Sequence, residues 1–201
     1  MTQQKKYNGA LTREQFLFNE IRIVAGKKNQ QMEDSEIIEA ILRDNLFQFP
    51  TERMIRTITC TCLRRLQALQ NNWLESQIAL APREVAKQIN LYAIMKDNLL
   101  VWDFMVTVIG EKYRTQDMTL SRKDLNMFFI RLQEQDDTVA EWKDSTIGKI
   151  KSVLIRMLIE TGYTEKIESG ILQPVLLYDE LEQGIKENHD HAALAAFNRF
   201  P

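Results

Sequence analysis

Glycine, proline, cysteine and histidine are all scarce in this chain: seven, four, two and two residues among 201. With so few helix breakers, most segments keep a 3.6-residue apolar period in which Leu, Ile and Met alternate with charged residues, and a mainly helical protein is expected. The two cysteines, Cys60 and Cys62, sit two apart. On a helix that spacing rotates them by about 200°, so the thiols point away from each other and neither a shared metal nor a disulfide suits them. Long apolar runs are missing too. The best candidate, Leu99 to Gly110, is short and interrupted by Asp103, so no membrane span is expected. The polar start, MTQQKKYNGALTREQ, lacks an apolar leader, and a cytoplasmic protein is expected. An excess of positive charge is also absent, the formal net charge being -2. That excludes a chain that is basic throughout, but not a local basic face, because binding depends on where the cations sit.

Catalytic patterns are missing as well. The sequence has no phosphate-binding glycine loop, no G-x-G-x-x-G, no G-x-S-x-G and no zinc-ligand spacing. His189 and His191 flank Asp190 in an acidic tail with no third ligand near in sequence, so no metal and no cofactor are expected. The acidic pairs Glu33-Asp34 and Asp136-Asp137 fall at helix caps or turns, where carboxylates satisfy free N–H groups. A non-enzymatic chain is the expectation.

What is present is a succession of amphipathic helices. The first is expected from Thr12, capped through Gln15, to Gly26, with Phe16, Ile21 and Val24 inward. A second, capped by Asp34 or Ser35, buries Ile37, Ile38, Ile41 and Leu42. A long third helix starts at Thr51 and runs to about Gln70, burying Ile55, Ile58, Cys62, Leu66 and Leu69. Its opposite face carries Arg53, Arg56, Thr57, Arg64 and Gln67, while Arg65 lies nearer the core flank. These helices read as an N-terminal helix-turn-helix-like module over residues 1–81, with Arg53, Arg56, Thr57 and Arg64 as candidate contacts to DNA. A helical spine over 82–118 follows. Residues 119–178 read as a winged helix-turn-helix, and 179–201 as an acidic helical tail.

The winged module carries the sharpest signal. Ser121 caps a helix to Gln135 that buries Leu125, Phe128, Phe129 and Leu132. A short turn of helix lies at Thr138 to Trp142. A long helix then begins at Asp144-Ser145-Thr146 and ends at Thr161-Gly162. Tyr163–Ile167 and Ile171–Leu177, around Glu168-Ser169-Gly170, have the pattern of a small β-hairpin wing. Ile147, Ile150, Leu154, Met157 and Leu158 form the inward stripe of the long helix. Ser145, Lys149, Ser152 and Arg156 fall opposite, with Lys143 and Lys151 beside them and Lys166 on the wing. A helix fits the major groove, and its first turn favours phosphate. Ser145, Thr146 and the cations are therefore candidate contacts to double-stranded DNA, chiefly to its backbone. Solvated cations on an outer face, or a protein-interaction module, fit the same pattern.

Several stretches together resemble a known family. They are Phe16 to Ile23 with Glu20; Asn45-Leu46 leading to Thr51 and Arg56; Arg65-Leu66; Leu99-Leu100 with Asp103-Phe104; Asp124 with Phe128-Phe129; Trp142 with Ser145-Thr146; and Thr161-Gly162-Tyr163. Taken over nearly the whole chain they resemble the BrxA family of the BREX (bacteriophage exclusion) antiviral defence systems. The resemblance implies a non-enzymatic, mainly helical, DNA-binding protein with helix-turn-helix and winged modules. It would act beside a methyltransferase, an ATPase and a phosphatase-like protein. The same family has been likened in fold to NusB, which leaves RNA binding open, as it does a scaffold that docks on the larger BREX proteins.

Overall fold

The computed structural model describes residues 6–166 and 170–200, and these are mainly helical. The chain divides into two compact units, Leu17–Asp97 and Met1–Phe16 with Asn98–Pro201. The stretch read as a spine, 82–118, falls across that division.

The first unit holds α1 (Phe18–Lys28), α2 (Asp34–Asp44), α3 (Glu52–Ala68), α4 (Asn72–Leu80) and α5 (Arg83–Asp97). Thr12 does not cap α1. Its hydroxyl donates to the Gly9 carbonyl at 2.8 Å, closing a 3-10 turn, Gly9–Thr12. Leu17, left-handed at φ 51°, then resets the chain before the helix. Nor does Gly26 end α1. An interior glycine costs a helix about 1 kcal/mol, but it does not stop one whose Ile21, Val24 and Ala25 are buried. α2 is capped one residue early, by a box in which the Glu33 N–H donates to Glu36 at 2.9 Å. α3 starts as expected, the Thr51 hydroxyl accepting from the Met54 N–H at 3.3 Å. Along it Ile55, Ile58, Cys62, Leu66 and Leu69 are buried. α4 buries little apolar surface, Leu74 and Ile78, which is too short a pattern to announce a helix. α5 is buried around most of its circumference, Val85 to Met95, as expected of a helix enclosed on several sides, and within this unit it packs mainly on α3 and α4.

In the second unit Asn98 caps α6 (Leu99–Phe104) by accepting from Leu100 and Val101 N–H at 3.1 and 3.3 Å. The helix widens into a π turn, Met105–Ile109, and resumes as α7 (Gly110–Arg114), with the Gly110 N–H donating to the Met105 carbonyl. The acidic tail forms α11 (Asp179–Glu187) and a 3-10 segment, His191–Phe197, that packs on the π turn and α7. A Cβ on Gly110 would stand 2.9 Å from that of Ala195, so only glycine lets the two backbones meet. α8 (Arg122–Gln135), α9 (Asp137–Ala140) and α10 (Asp144–Glu160) follow the expected order. Ser121 and Asp124 form a capping box on α8. Phe128 meets Phe104 edge-on at 5.3 Å and Phe129 at 5.4 Å.

The expected hairpin wing differs. Among the described residues there is no strand, and Ile167, Glu168 and Ser169 lie outside them. An extended strap takes its place, held by one antiparallel bridge between Thr119 and Ile171. The Leu120 N–H donates to the Gly170 carbonyl, Leu172 to Met118, and Gln173 to Tyr163 at 2.7 Å. Two causes combine. Pro174 has no N–H to extend a ladder, and Tyr163 is drawn inward, its hydroxyl donating to the Ala196 carbonyl at 2.9 Å.

Candidate nucleic-acid interface

α10 sorts its residues as its period requires. Ile147, Ile150, Val153, Leu154, Met157 and Leu158 are buried, and Ser145, Gly148, Lys149, Ser152 and Arg156 are exposed. The helix begins at Asp144, and Lys143 is its cap residue, extended and without a side-chain cap. The Ser145 and Thr146 hydroxyls therefore lie inside the first turn, where Asp144 already answers the helix dipole. Thr146 is half-buried, its methyl carbon 3.7 Å from where a Cβ on Gly9 would stand.

The cations around this helix have different fates. Lys143 and Lys149 are exposed and have no hydrogen-bond or ion-pair partner among the described residues. Arg156 is exposed, and its guanidinium donates to the Gln15 side-chain carbonyl at 2.7 Å. Gln15 is neutral, so it orients the charge without cancelling it. Lys151 does not join the outward face. Its ammonium donates to Asn126 Oδ1 at 2.7 Å and lies 5.2 Å over the Phe129 ring, against α8. Burial there lowers its pKa, with Asp144 acting the other way. Ser152 spends its hydroxyl hydrogen on the Gly148 carbonyl, 2.9 Å away, keeping its lone pairs outward. Lys166 is exposed.

The α3 face in the other unit is thinner than its sequence suggests. Arg53, Arg56 and Thr57 are exposed, the Thr57 hydroxyl donating back to the Arg53 carbonyl at 2.8 Å. Cys60 lies exposed on the same side and Cys62 is buried, as their spacing requires. Arg64, expected as a contact, forms a two-pronged pair with Asp97 at 2.8 and 2.9 Å. Its charge is thereby opposed at close range. Arg65 is buried with its Nε 4.0 Å from the same carboxylate, in keeping with its position on the core flank.

Beneath α8 a buried lysine ties two carboxylates together. Lys112 Nζ lies 2.8 Å from Asp117 and 3.1 Å from Asp124. Burial pushes its pKa down, but the two carboxylates outweigh that and hold it raised. The hydrogen bond from Lys112, helped by Thr119, brings Asp117 down to about 2. This cluster pins the segment entering α8. No group of three His, Cys, Asp or Glu gathers into a metal site among the described residues. Trp73 and Phe200 are the exposed aromatics among them.

Sequence reasoning missed the segment that lies along α10, residues 9–15. Its only signal was Leu11 and Phe16, two apolar residues in a polar stretch, both buried.

The BrxA family model matches residues 5–189. The chain is 34% identical over 184 residues to the BREX protein BrxA of Bacillus cereus (strain H3081.97), covering 90% of this chain and 92% of that protein. It is 24% identical over 171 residues to the BREX protein BrxA of Paramagnetospirillum magneticum, covering 85% of each. A crystal structure of an uncharacterized protein from Magnetospirillum magneticum shares the fold, with a TM-score of 0.82 over 96% of this chain and 98% of that one at 22% identity.

Proposed function

The chain belongs to the BrxA family of the BREX phage-defence systems, and from that premise we propose that it is a non-enzymatic accessory protein that binds double-stranded DNA through the phosphate backbone. The observation that carries this reading is the outward face of α10. Lys149 stands there and Lys143 at the cap, neither with a partner among the described residues, Arg156 is held by a neutral amide, and Ser145 and Ser152 lie nearby. α8, α9 and α10 serve as the helix-turn-helix, and the strap Gly170–Gln173 stands where a wing would be. Arg53, Arg56 and Thr57 on α3 make a second, smaller contact. Sequence preference is weak, because few of these side chains offer the two-pronged contacts that read base edges.

Affinity for a mixed-sequence duplex, followed by fluorescence anisotropy, is expected to fall steeply with salt as counterions are released. No binding at low salt would sink the proposal. RNA is the weaker ligand on this reading, since stacking on single-stranded bases calls for exposed aromatics and the two present lie in different units. A role as a docking scaffold is the second reading. Met127 and Ile130, one turn apart on α8, are exposed at 55% and 48%, an apolar pair that phosphate contacts do not use. Its partners would be the methyltransferase, ATPase or phosphatase-like proteins of the same system. Co-purification that survives nuclease treatment supports it, and partners lost with the DNA count against it.

A further inference from the structure

We infer that the N-terminal arm, Lys6 to Phe16, is the second wall of the DNA-binding face, seating a phosphate strand along the seam it forms with α10. This rests on the DNA-binding reading above and adds to it two cations, Lys6 and Arg13.

The arm is a built element. Its 3-10 turn is opened by Asn8, which accepts from the Ala10 N–H at 3.1 Å, and closed by Thr12. The Tyr7 hydroxyl donates to Asp103, at the end of α6. Leu11 and Phe16 are buried at 1% and 4% exposure. The arm also runs along α10 in a defined direction, because Gly9 is beside Thr146 and Gln15 takes the hydrogen bond from Arg156. Ten helical residues rise about 15 Å. The six steps from Gly9 to Gln15 therefore follow α10 for much of its length.

The side on which it lies decides what it can do. With Ser145 at 0° on the helical wheel, Arg156 falls at about 20°, Lys149 at about 40° and Thr146 at about 100°. Lys151, at about 240°, is on the far flank, where it meets α8. The arm thus borders Lys149 and Arg156. Lys6 and Arg13 are exposed and have no partner among the described residues. The arm is anchored by Leu11, Phe16, Tyr7 and Gln15 rather than by these two cations, which face solvent. A polyanion laid beside α10 would meet charge from both sides. Glu14 and Glu160, on the arm and at the helix end, limit how tight that grip becomes and favour the extended phosphate strand over a small anion.

The test compares the wild-type chain with Lys6→Ala combined with Arg13→Ala, on duplex DNA across a salt series, with thermal melting as the folding control. Both side chains are exposed, so the melting temperature is expected to hold. Affinity at moderate salt is expected to drop about tenfold, and the slope of log K against log salt to become shallower by about 2, the count of phosphate contacts removed. Unchanged affinity and slope would overturn the inference while leaving the α10 reading intact. Tighter binding would overturn it too, by showing that the arm shields the helix. A wild-type chain that fails to bind duplex DNA at low salt removes both readings together.

Discussion

α3 and α10 look alike in sequence: each is a seventeen-residue helix with a buried apolar stripe and cations opposite. Their surroundings treat those cations differently. On α3 Arg64 is answered by the Asp97 carboxylate and Arg65 is buried behind it. On α10 Arg156 is answered by the amide of Gln15 and Lys149 by nothing described. A carboxylate partner fixes a cation and largely cancels its field, whereas an amide fixes it and leaves the field standing. Counting arginines and lysines on a wheel therefore overstates both faces, the first by Arg64 and the second by Lys151.

Reversing charge on the stronger face should have the largest effect. Lys143→Glu with Lys149→Glu is expected to weaken duplex binding about a hundredfold at low salt, because two contacts become repulsions. The matching reversal on α3, Arg53→Glu with Arg56→Glu, should cost about tenfold. Equal losses in anisotropy titrations would mean that the two faces contribute alike and would break the contrast.

Cys60 offers a smaller, local readout. Lying beside Arg56 and Thr57 on the outer side of α3, it should alkylate readily in the native protein, and saturating duplex should slow it several-fold. Cys62 should react only on unfolding. Protection of Cys60 absent while binding is saturated would remove α3 from the interface.

The acid limb of stability tests the clamp under α8. Asp117 sits at about 2 in the folded chain against 3.8 unperturbed. Its contribution is thus present above about pH 4 and lost as pH falls toward 2. Asp117 is half-exposed, so solvent screening keeps that contribution modest. Urea midpoints for Asp117→Asn should converge with wild type at low pH and fall below it near neutrality, and parallel curves would deny the cluster that role. The smallest effect belongs to Arg64→Ala. Duplex affinity should stay within about twofold and stability should fall by about 1 kcal/mol, because Arg64 is half-exposed while the largely buried Asp97 keeps Arg65 nearby. A loss as large as that from Arg53 and Arg56 would show that Asp97 leaves Arg64 free to bind.

Period and caps made much of this legible. α3, α8 and α10 lie within a residue or two of where their apolar stripes and the caps at Thr51 and Ser121 put them. Failures came where structure depends on residues distant in sequence. Thr12 and Gln15 form a plausible capping box by spacing, but Gln15 is claimed by Arg156, 141 residues away. Lys151 reads as outward until Phe129 and Asn126 give it a place to lie. Arg64 reads as free until α5 delivers Asp97. The strap replaced the hairpin because the alternation in 163–177 was satisfied by two different neighbours, Leu120 on one side and the Ala196 carbonyl on the other. Each of these four is a long-range partner that no local window contains, whereas the misplaced ends of α1 and α2 at Gly26 and Glu33 are local.

The π turn at Met105–Ile109 sets a phase. Its hydrogen bond spans one residue more than an α-turn, so everything after it is out of step with a straight helix by one residue, about 100° of rotation. Gly110 is the first residue to receive that offset, and it is the one lying under Ala195. Removing a single residue from the turn would restore an ordinary helix and swing the glycine out from beneath the 3-10 segment, bringing a bulkier neighbour into its place. The irregular turn can be read as an angular spacer, one surplus residue kept so that the end of the chain has somewhere to close.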